Sequence, residues 1–412
     1  MIKKYFAVAV LLSVPVFAQH EHQMPMPAPK PQTQPQHEHM QMPMQKQADL
    51  AQDFLMQQAS GTSLNPAAAA THMKMSMTTF DKWMLMFHGQ AFLNQVVQTG
   101  SRGADGFFST NWVMGMAERP LAGGHLMLRS MLSFEPLTVR KRGYPELFQT
   151  GEGLIDRQHP HDFFMELAAE YAVDLGHQTV GYIYAAPVGD PALGPAAYPH
   201  RISAAEIPQA TLSHHLQDST HIAASVLTIG AKQNQFGLAI SGFHGREPDD
   251  NRWDLDRGSL DSWSVRGTWD PTPNWTAQFS TGHLQHPEAS EPGNIQRTTA
   301  SVTHFRTMRN GDWSSSLIWG WNHRSDNDSN GVVAETNFRF NASNYLTGRL
   351  EIVKKEEFSA TIKALTAGYT KDIFRSRDLL GGIGGNVTAY RAHDERPLSF
   401  YAFVRLRSVA GH

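Results

Sequence analysis

Leu398-Ser399-Phe400-Tyr401-Ala402-Phe403-Val404-Arg405-Leu406-Arg407 alternates. The residues at 398, 400, 402, 404 and 406 are all apolar, whereas Ser399, Tyr401, Phe403, Arg405 and Arg407 between them include two charges. A period of two places each set on its own face of an extended strand. The apolar face carries an aromatic residue, Phe400, near its start, which suits a strand whose outer side meets lipid.

The same pattern recurs upstream. Val332, Ala334, Thr336, Phe338 and Phe340 alternate with Glu335, Asn337 and Arg339, and Leu346, Gly348, Leu350 and Ile352 alternate with Thr347, Arg349 and Glu351. Trp263 to Trp269 and Trp275 to Phe279 repeat it, and Trp269, Trp275, Trp313 and Tyr345 supply aromatic ends. These segments run about 10 to 13 residues, longer than the strands of a soluble sandwich. The spacing predicts strands at 83–96, 107–117, 122–134, 161–173, 178–187, 220–230, 234–245, 259–270, 274–284, 297–308, 312–323, 331–340, 344–353, 360–371, 379–391 and 397–407. The connections alternate between short turns, such as Arg309-Asn310-Gly311 and Asn341-Ala342-Ser343, and long loops, such as 135–160 and 188–219. That alternation belongs to an all-β fold, a transmembrane antiparallel up-and-down β-barrel of about 16 strands, over residues 79–412. Two places are ambiguous. Asp162, Glu166 and Glu170 share a face in either a strand or a short helix, and 372–378 is long for a turn.

Composition agrees with this class. The chain has 412 residues, 18% charged and 41% hydrophobic, enough for a large core. The formal charge of −3 becomes −5 without Lys3 and Lys4, so nucleic acid is not an expected partner. The absence of Cys removes thiolate chemistry and a disulfide framework. Residues 1–18 read as an export signal: a basic start, an apolar stretch from Tyr5 to Phe17, and Val16-Phe17-Ala18 as the cleavage site. The expected location is therefore the cell outer membrane, with the mature N-terminus in the periplasm.

Residues 19–78 are expected to form a periplasmic tail and linker. Within it, residues 20–46 hold four His, five Met, six Pro and six Gln and no aromatic or branched aliphatic residue, a composition that leaves the chain disordered. The pairs His20/His22, Met24/Met26, His37/His39 and Met42/Met44 place soft sulfur and imidazole donors close together, which makes a copper ion the expected ligand. The other reading is a solvated Pro/Gln linker. Residues 48–70 carry a mild helical pattern and an Ala run that reads as a linker, with no assigned function.

With both chain ends in the periplasm the long loops are external, and histidine concentrates on that side, in the loops and the strand ends beside them, at positions 159, 161, 200, 214, 215, 221, 244, 283, 286, 323 and 393. Two stretches have ligand spacing: Asp156 to Asp162, with His159, His161 and Asp162, and His214 to His221, with His214, His215, Asp218 and His221. Neutral imidazoles beside carboxylates suit Zn, Cu or Ni. They also suit a hydrogen-bonded network with Arg157, Arg201, Arg246, Glu247 and Asp249 that pins the loops. A third reading is a hydrolase in which a metal on His159, His161, Asp162, His214 and His221 activates water, or Ser219 acts as nucleophile. Finally, Met84, Met86 and His88 alternate with Leu85, Phe87 and Gly89, and His125, Met127 and Met131 alternate with Leu126, Leu128 and Leu132. If the aliphatic face meets lipid, the Met and His side chains line the lumen, either as a path for soft cations or as packing.

The central stretches GLIDRQHPHDFFMELAAEY (153–171), PALGPAAYPHR (191–201), LSHHLQDSTHI (212–222), SGFHGREPDDNRW (241–253) and LDSWSVR (260–266) resemble a set of uncharacterised bacterial outer-membrane β-barrel proteins. The resemblance spans roughly residues 150–290 and implies an outer-membrane location without a known activity. The tail is similar in composition to the Met/His-rich leaders of copper-resistance proteins. Together these readings lead to the expectation of a channel or transport component that meets the lipid bilayer, metal ions or small solutes, and further copies of itself. A metal-dependent hydrolase and a closed metal-binding barrel are the rivals.

Overall fold

The computed structural model describes residues 49–70, 75–139, 142–150, 154–288, 293–325, 327–358 and 360–409. The expected tail ligands His20, His22, Met24, Met26, His37, His39, Met42 and Met44 lie outside the described residues.

Sixteen antiparallel strands close into a barrel. They are β1 (Trp83–Gln98), β2 (Gly106–Leu121), β3 (Gly124–Leu132), β4 (Phe164–Gly176), β5 (Thr179–Gly189), β6 (Ala223–Gln233), β7 (Phe236–His244) and β8 (Ser262–Thr272). The second half comprises β9 (Trp275–Leu284), β10 (Ile295–Met308), β11 (Gly311–Arg324), β12 (Asn327–Phe340), β13 (Asn344–Lys354), β14 (Ile362–Arg375), β15 (Leu379–Arg391) and β16 (Leu398–Ser408). Each strand pairs with its chain neighbours, and β16 returns to β1 with Phe400 opposite Val97 and Arg407 opposite Gln90. Every strand expected from the sequence overlaps one of these. The ambiguous 162–173 stretch is strand β4, and the long turn at 372–378 shrinks because β14 continues to Arg375. A short strand, Ser76–Phe80, forms a hairpin with the start of β1.

The short turns have a chemical cause. Ala122 and Gly123, His177 and Gln178, and Asn341 and Ala342 all take positive φ (47° and 84°, 50° and 57°, 47° and 59°). That pair of left-handed residues twists a tight hairpin in the sense the strands require.

The outer face is apolar. Ile229, Ile240, Leu317, Leu350 and Leu365 are exposed on it, with Phe236, Trp269, Trp275 and Trp313 toward the short turns and Trp263, Phe107 and Phe400 toward the long loops. These are a lipid belt and two aromatic girdles. Among the described residues no helix is long and apolar enough to cross a membrane; here the strands do so.

Two inserts occupy the interior. The first is residues 49–70, expected as a linker; instead helix α1 (Leu50–Gln57) packs against the lumenal wall. Asp49 caps α1 by accepting from the Gln52 N–H at 3.2 Å. The helical spacing of Ala51, Phe54 and Leu55 then buries one face against Met86, Met127, Ala172 and Tyr182. Burying Phe54 and Leu55 contributes about 1.5–3 kcal/mol each. After the helix, Gly61 adopts φ +50°, and a Cβ there would fall 2.4 Å from the Asp190 carbonyl oxygen, so only glycine allows this approach.

The second insert is the β5–β6 connection, residues 190–222. It was expected outside with the other long loops, yet it crosses the lumen. Its Ala192 and Gly194 N–H groups donate to Ser241 of β7 and Ser280 of β9, at 2.7 and 2.8 Å. Arg201 meets Glu335 of β12 at 2.6 Å, and the Leu212 N–H reaches Glu351 of β13 at 2.7 Å. Glu206 pairs with Arg405 and Arg407 of β16, and Gln209 with Asn386 of β15. A buried loop needs a partner for every polar group, and the charged lumenal positions of the alternating strands supply many of them. Small residues such as Ala192, Gly194, Ala196 and Ala197 let its backbone lie close to the wall.

Candidate metal centre in the vestibule

Above the crossing insert, the long loops enclose a cavity of about 1210 Å³. His159, His161, Asp162, His214, His215 and His221 all line it, so the two stretches with ligand spacing meet in space.

Three of these histidines form a nest. The His221 ring centroid lies 5.4 Å from that of His161 and 5.3 Å from that of His214, and Tyr198 packs beside His161 and His214 at 5.8 and 5.3 Å. Each ring is held through Nδ1. Glu135 takes that of His161 at 3.0 Å, the Asp218 carboxylate that of His214 at 2.7 Å, and the Asp218 backbone carbonyl that of His221 at 2.7 Å. Such partners fix the tautomer and turn Nε2 outward, the usual support of a metal-binding imidazole. The Nε2 of His221 is buried and has no hydrogen-bond partner among the described residues.

The electrostatics divide the trio. Burial, with His214 and His161 beside it, pushes His221 down to about 3, and burial also lowers His214, so both rings are neutral ligands at ordinary pH. Burial opposes charge on His161 too, but the Glu135 carboxylate outweighs it and raises the ring above its usual value. Asp218 is buried, yet His214 and Arg201 hold its carboxyl well below the usual carboxylate range. As an anion its carboxylate orients His214 and binds Arg201, while its backbone carbonyl orients His221; the sequence had offered it as a ligand. Asp162 is also drawn away, because Arg252 binds it at 2.9 Å. His159 lines the cavity without joining the nest.

His215 faces the other way. Its ring nitrogen and carboxylate oxygens of Glu247 and Glu288 all lie within 4.8 Å of one another, the tightest group of possible ligands among the described residues. Glu247, 3.3 Å from His215, is half-buried, and the His215 ring lowers its carboxyl to about 2. Arg297 anchors this corner by donating to the His215 carbonyl at 2.6 Å and to Ser219 at 3.0 Å, which ties up the hydroxyl considered as a nucleophile. Because the His214 and His215 rings are 5.4 Å apart, the two donor sets are neighbours.

The expected lumen residues occupy the inner wall in rows. His88, Met114 and Met131 stand opposite one another across β1, β2 and β3; the next row is Met86, Met116 and Arg129, and the next Met84, Glu118 and Met127. His125 is a structural pin, with one ring nitrogen on Glu118 and the other 2.7 Å from Asp49 at the cap of α1. His200, grouped with the outer histidines by sequence, instead lies inside beside Met131. Sequence reasoning missed Glu135, Tyr198 and Glu288, which nothing local to the histidine stretches signals. It also passed over Met114 and Met116, although they alternate as Met84 and Met86 do.

No protein-family model matches the chain, and no curated protein matches it in sequence. Its likeness is to solved structures. An anion-selective porin from Comamonas acidovorans aligns at a TM-score of 0.53 and 9% identity, covering 79% of this chain and 99% of that one. Salmonella typhi OmpF, solved with daunomycin, aligns at 0.51 and 9% identity over 80% and 99%. OmpT of Vibrio cholerae, an outer membrane protein in its trimer form, aligns at 0.50 and 7% identity over 79% and 100%. At these identities the likeness establishes the porin-type fold.

Proposed function

We propose that the protein is a transport component of the bacterial outer membrane that captures divalent transition-metal ions, copper among them, in its outer vestibule. The insert 190–222 gates their passage through the lumen. The observation that carries this reading is the vestibule itself, in which two neighbouring His-containing donor sets face a cavity above the crossing insert. Imidazole and carboxylate donors suit copper, zinc and nickel, and the Met/His tail, placed on the periplasmic side, adds soft donors of the same chemistry. The porin-type fold supports the outer-membrane location and a homo-oligomer such as a trimer.

The test is planar-bilayer conductance of the full mature chain with Cu(II) or Zn(II) added to the vestibule side, compared with a His214→Ala/His221→Ala variant. The reading expects a metal-dependent change in current that the variant loses. Conductance indifferent to metal in both, or silence from a folded barrel under every condition, would overturn it.

A second reading has one observation behind it. A metal on His214 and His221, the two neutral rings of the nest, would keep open positions toward the 1210 Å³ cavity, as a hydrolytic centre does. Zn(II)-dependent ester or phosphoester hydrolysis that His221→Ala abolishes would favour it over transport.

A further inference from the structure

A second cavity, about 170 Å³, lies inside the barrel between α1, β1, β2 and the crossing insert. His88, Trp112, Met114, Met116, Met127 and His200 are among its lining residues. Behind this lining, Met131 follows His88 and Met114 in the wall row, and the Nε2 of His200 stands 3.0 Å from its sulfur. The two imidazoles are 5.9 Å apart between ring centroids, and Trp112 packs against both, 5.1 Å from His88 and 4.5 Å from His200.

Packing alone does not account for this group. Methionine fills gaps well, and a lumen sealed for stability alone would be served by methionine with leucine. Two histidines in the same place are a cost unless something binds them, and the Nε2 of His88 is buried with no partner among the described residues. Arg129 of the adjacent row also lines the cavity, but its charge is balanced by Glu170 at 2.7 Å and Glu166 at 3.6 Å, and Glu166, which follows Met131 on β4, is engaged as well by Tyr184 at 2.8 Å. The donors therefore remain two neutral nitrogens and two thioethers, a soft and uncharged set. Such a set disfavours Mg²⁺ and Ca²⁺, which require oxygen, and favours a monovalent soft ion whose single charge needs no carboxylate. The indole face of Trp112 adds an electron-rich wall for a cation. The cavity has room for an ion and accompanying water, since one water occupies about 30 Å³.

We propose that His88, Met114, Met131 and His200 form an internal site for a soft monovalent metal ion, Cu(I) or Ag(I). The site is built from different atoms than the vestibule and stands whether or not the vestibule binds divalent metal. It names the oxidation state in which copper would rest inside the barrel.

Trp112 supplies the readout. Silver(I) is titrated into the full mature chain, and the same is done with Trp112→Phe; the difference isolates quenching at Trp112 from metal held by the tail. The expected result is a Trp112-dependent signal that saturates, is not produced by Zn(II), and needs at least about tenfold more silver in Met131→Leu and in Met131→Leu/His200→Phe. His221→Ala should leave it unchanged, which separates failure of this site from failure of the vestibule reading. Heat-modified gel mobility verifies that each barrel is folded, and Met131→Leu, which nearly conserves volume, serves alone if the double variant does not fold. No Trp112-dependent quenching, or equal quenching in wild type and variants, would overturn the proposal.

Discussion

Arg201 of the crossing insert and Glu335 of the opposite wall are 2.6 Å apart, and both are almost wholly buried. Arg349 approaches the other Glu335 oxygen at 3.1 Å, and Arg201 also reaches Asp218 at 2.9 Å. This chain of charges joins the insert to the wall and, through Asp218, to His214. Removing one partner leaves the others buried and uncompensated, so Arg201→Ala should weaken the docking of the insert by about 3–5 kcal/mol. The expected outcome is a larger and noisier single-channel current than wild type, together with earlier thermal unfolding. Identical current and melting would show that the insert is held by other contacts.

The 49–70 segment should dock in a pH-dependent way. Asp190 is buried and accepts from Ser60 at 2.8 Å, and burial raises its carboxyl to about 8. With the segment undocked and Asp190 solvated, that carboxyl returns toward about 4. Between those values the docked form holds a proton that the undocked form has released, so docking weakens by up to about 1.4 kcal/mol per pH unit as pH rises. Above about 8 both forms are ionised and the slope vanishes. Hydrogen exchange of residues 49–70 should therefore speed up from pH 5 to 8 beyond its intrinsic rate and then level off, and Asp190→Asn should flatten the curve.

Helix α1 depends on its aromatic anchor. Phe54 is 5% exposed and packs on Tyr182 with ring centroids 4.7 Å apart. Phe54→Ala should destabilise docking by about 3–5 kcal/mol, seen as protease cleavage within 49–70 while strands β1 to β16 stay protected. A segment as resistant as wild type would place its anchorage elsewhere.

Ile240 faces outward near the middle of β7, opposite Ile229 on one side and Val265 on the other. Ile240→Arg should cost about 2–4 kcal/mol in reversible unfolding from lipid vesicles, because lipid cannot solvate the charge. A cost near zero would mean that this face meets protein, such as another copy of the chain.

The strands were legible because lipid on one side and polar groups on the other impose a period of two, as in Leu398 to Leu406. The inserts were not, because no such periodicity governs them. The insert 190–222 is rich in Ala and Pro, a composition shared with exposed loops, and its interior position depends on wall partners such as Glu335 and Arg405 that are distant in sequence. The histidine stretches were visible as spacing, but their orientation was not. Glu135, which holds His161, lies in a different part of the same loop, and nothing in either stretch marks the pairing. Asp162 and Asp218 read as ligands because nothing in their stretches shows that the fold brings Arg252 and Arg201 against them.

The seam between β1 and β16 joins Val97 to Phe400, the two ends of the barrel's chain. Residues 49–70 and 190–222 touch each other inside it, through Ser60 with Ala197 at 2.9 Å and Gly61 against Asp190. Once that seam zips shut, neither can enter from the side. Entry through the wall is thereby confined to the still-open sheet, and after closure the leading segment and the insert reach the lumen only through the barrel's two ends. Contacts this far apart in sequence form slowly, so the half-wrapped sheet should be a long-lived species in which an edge strand awaits its partner.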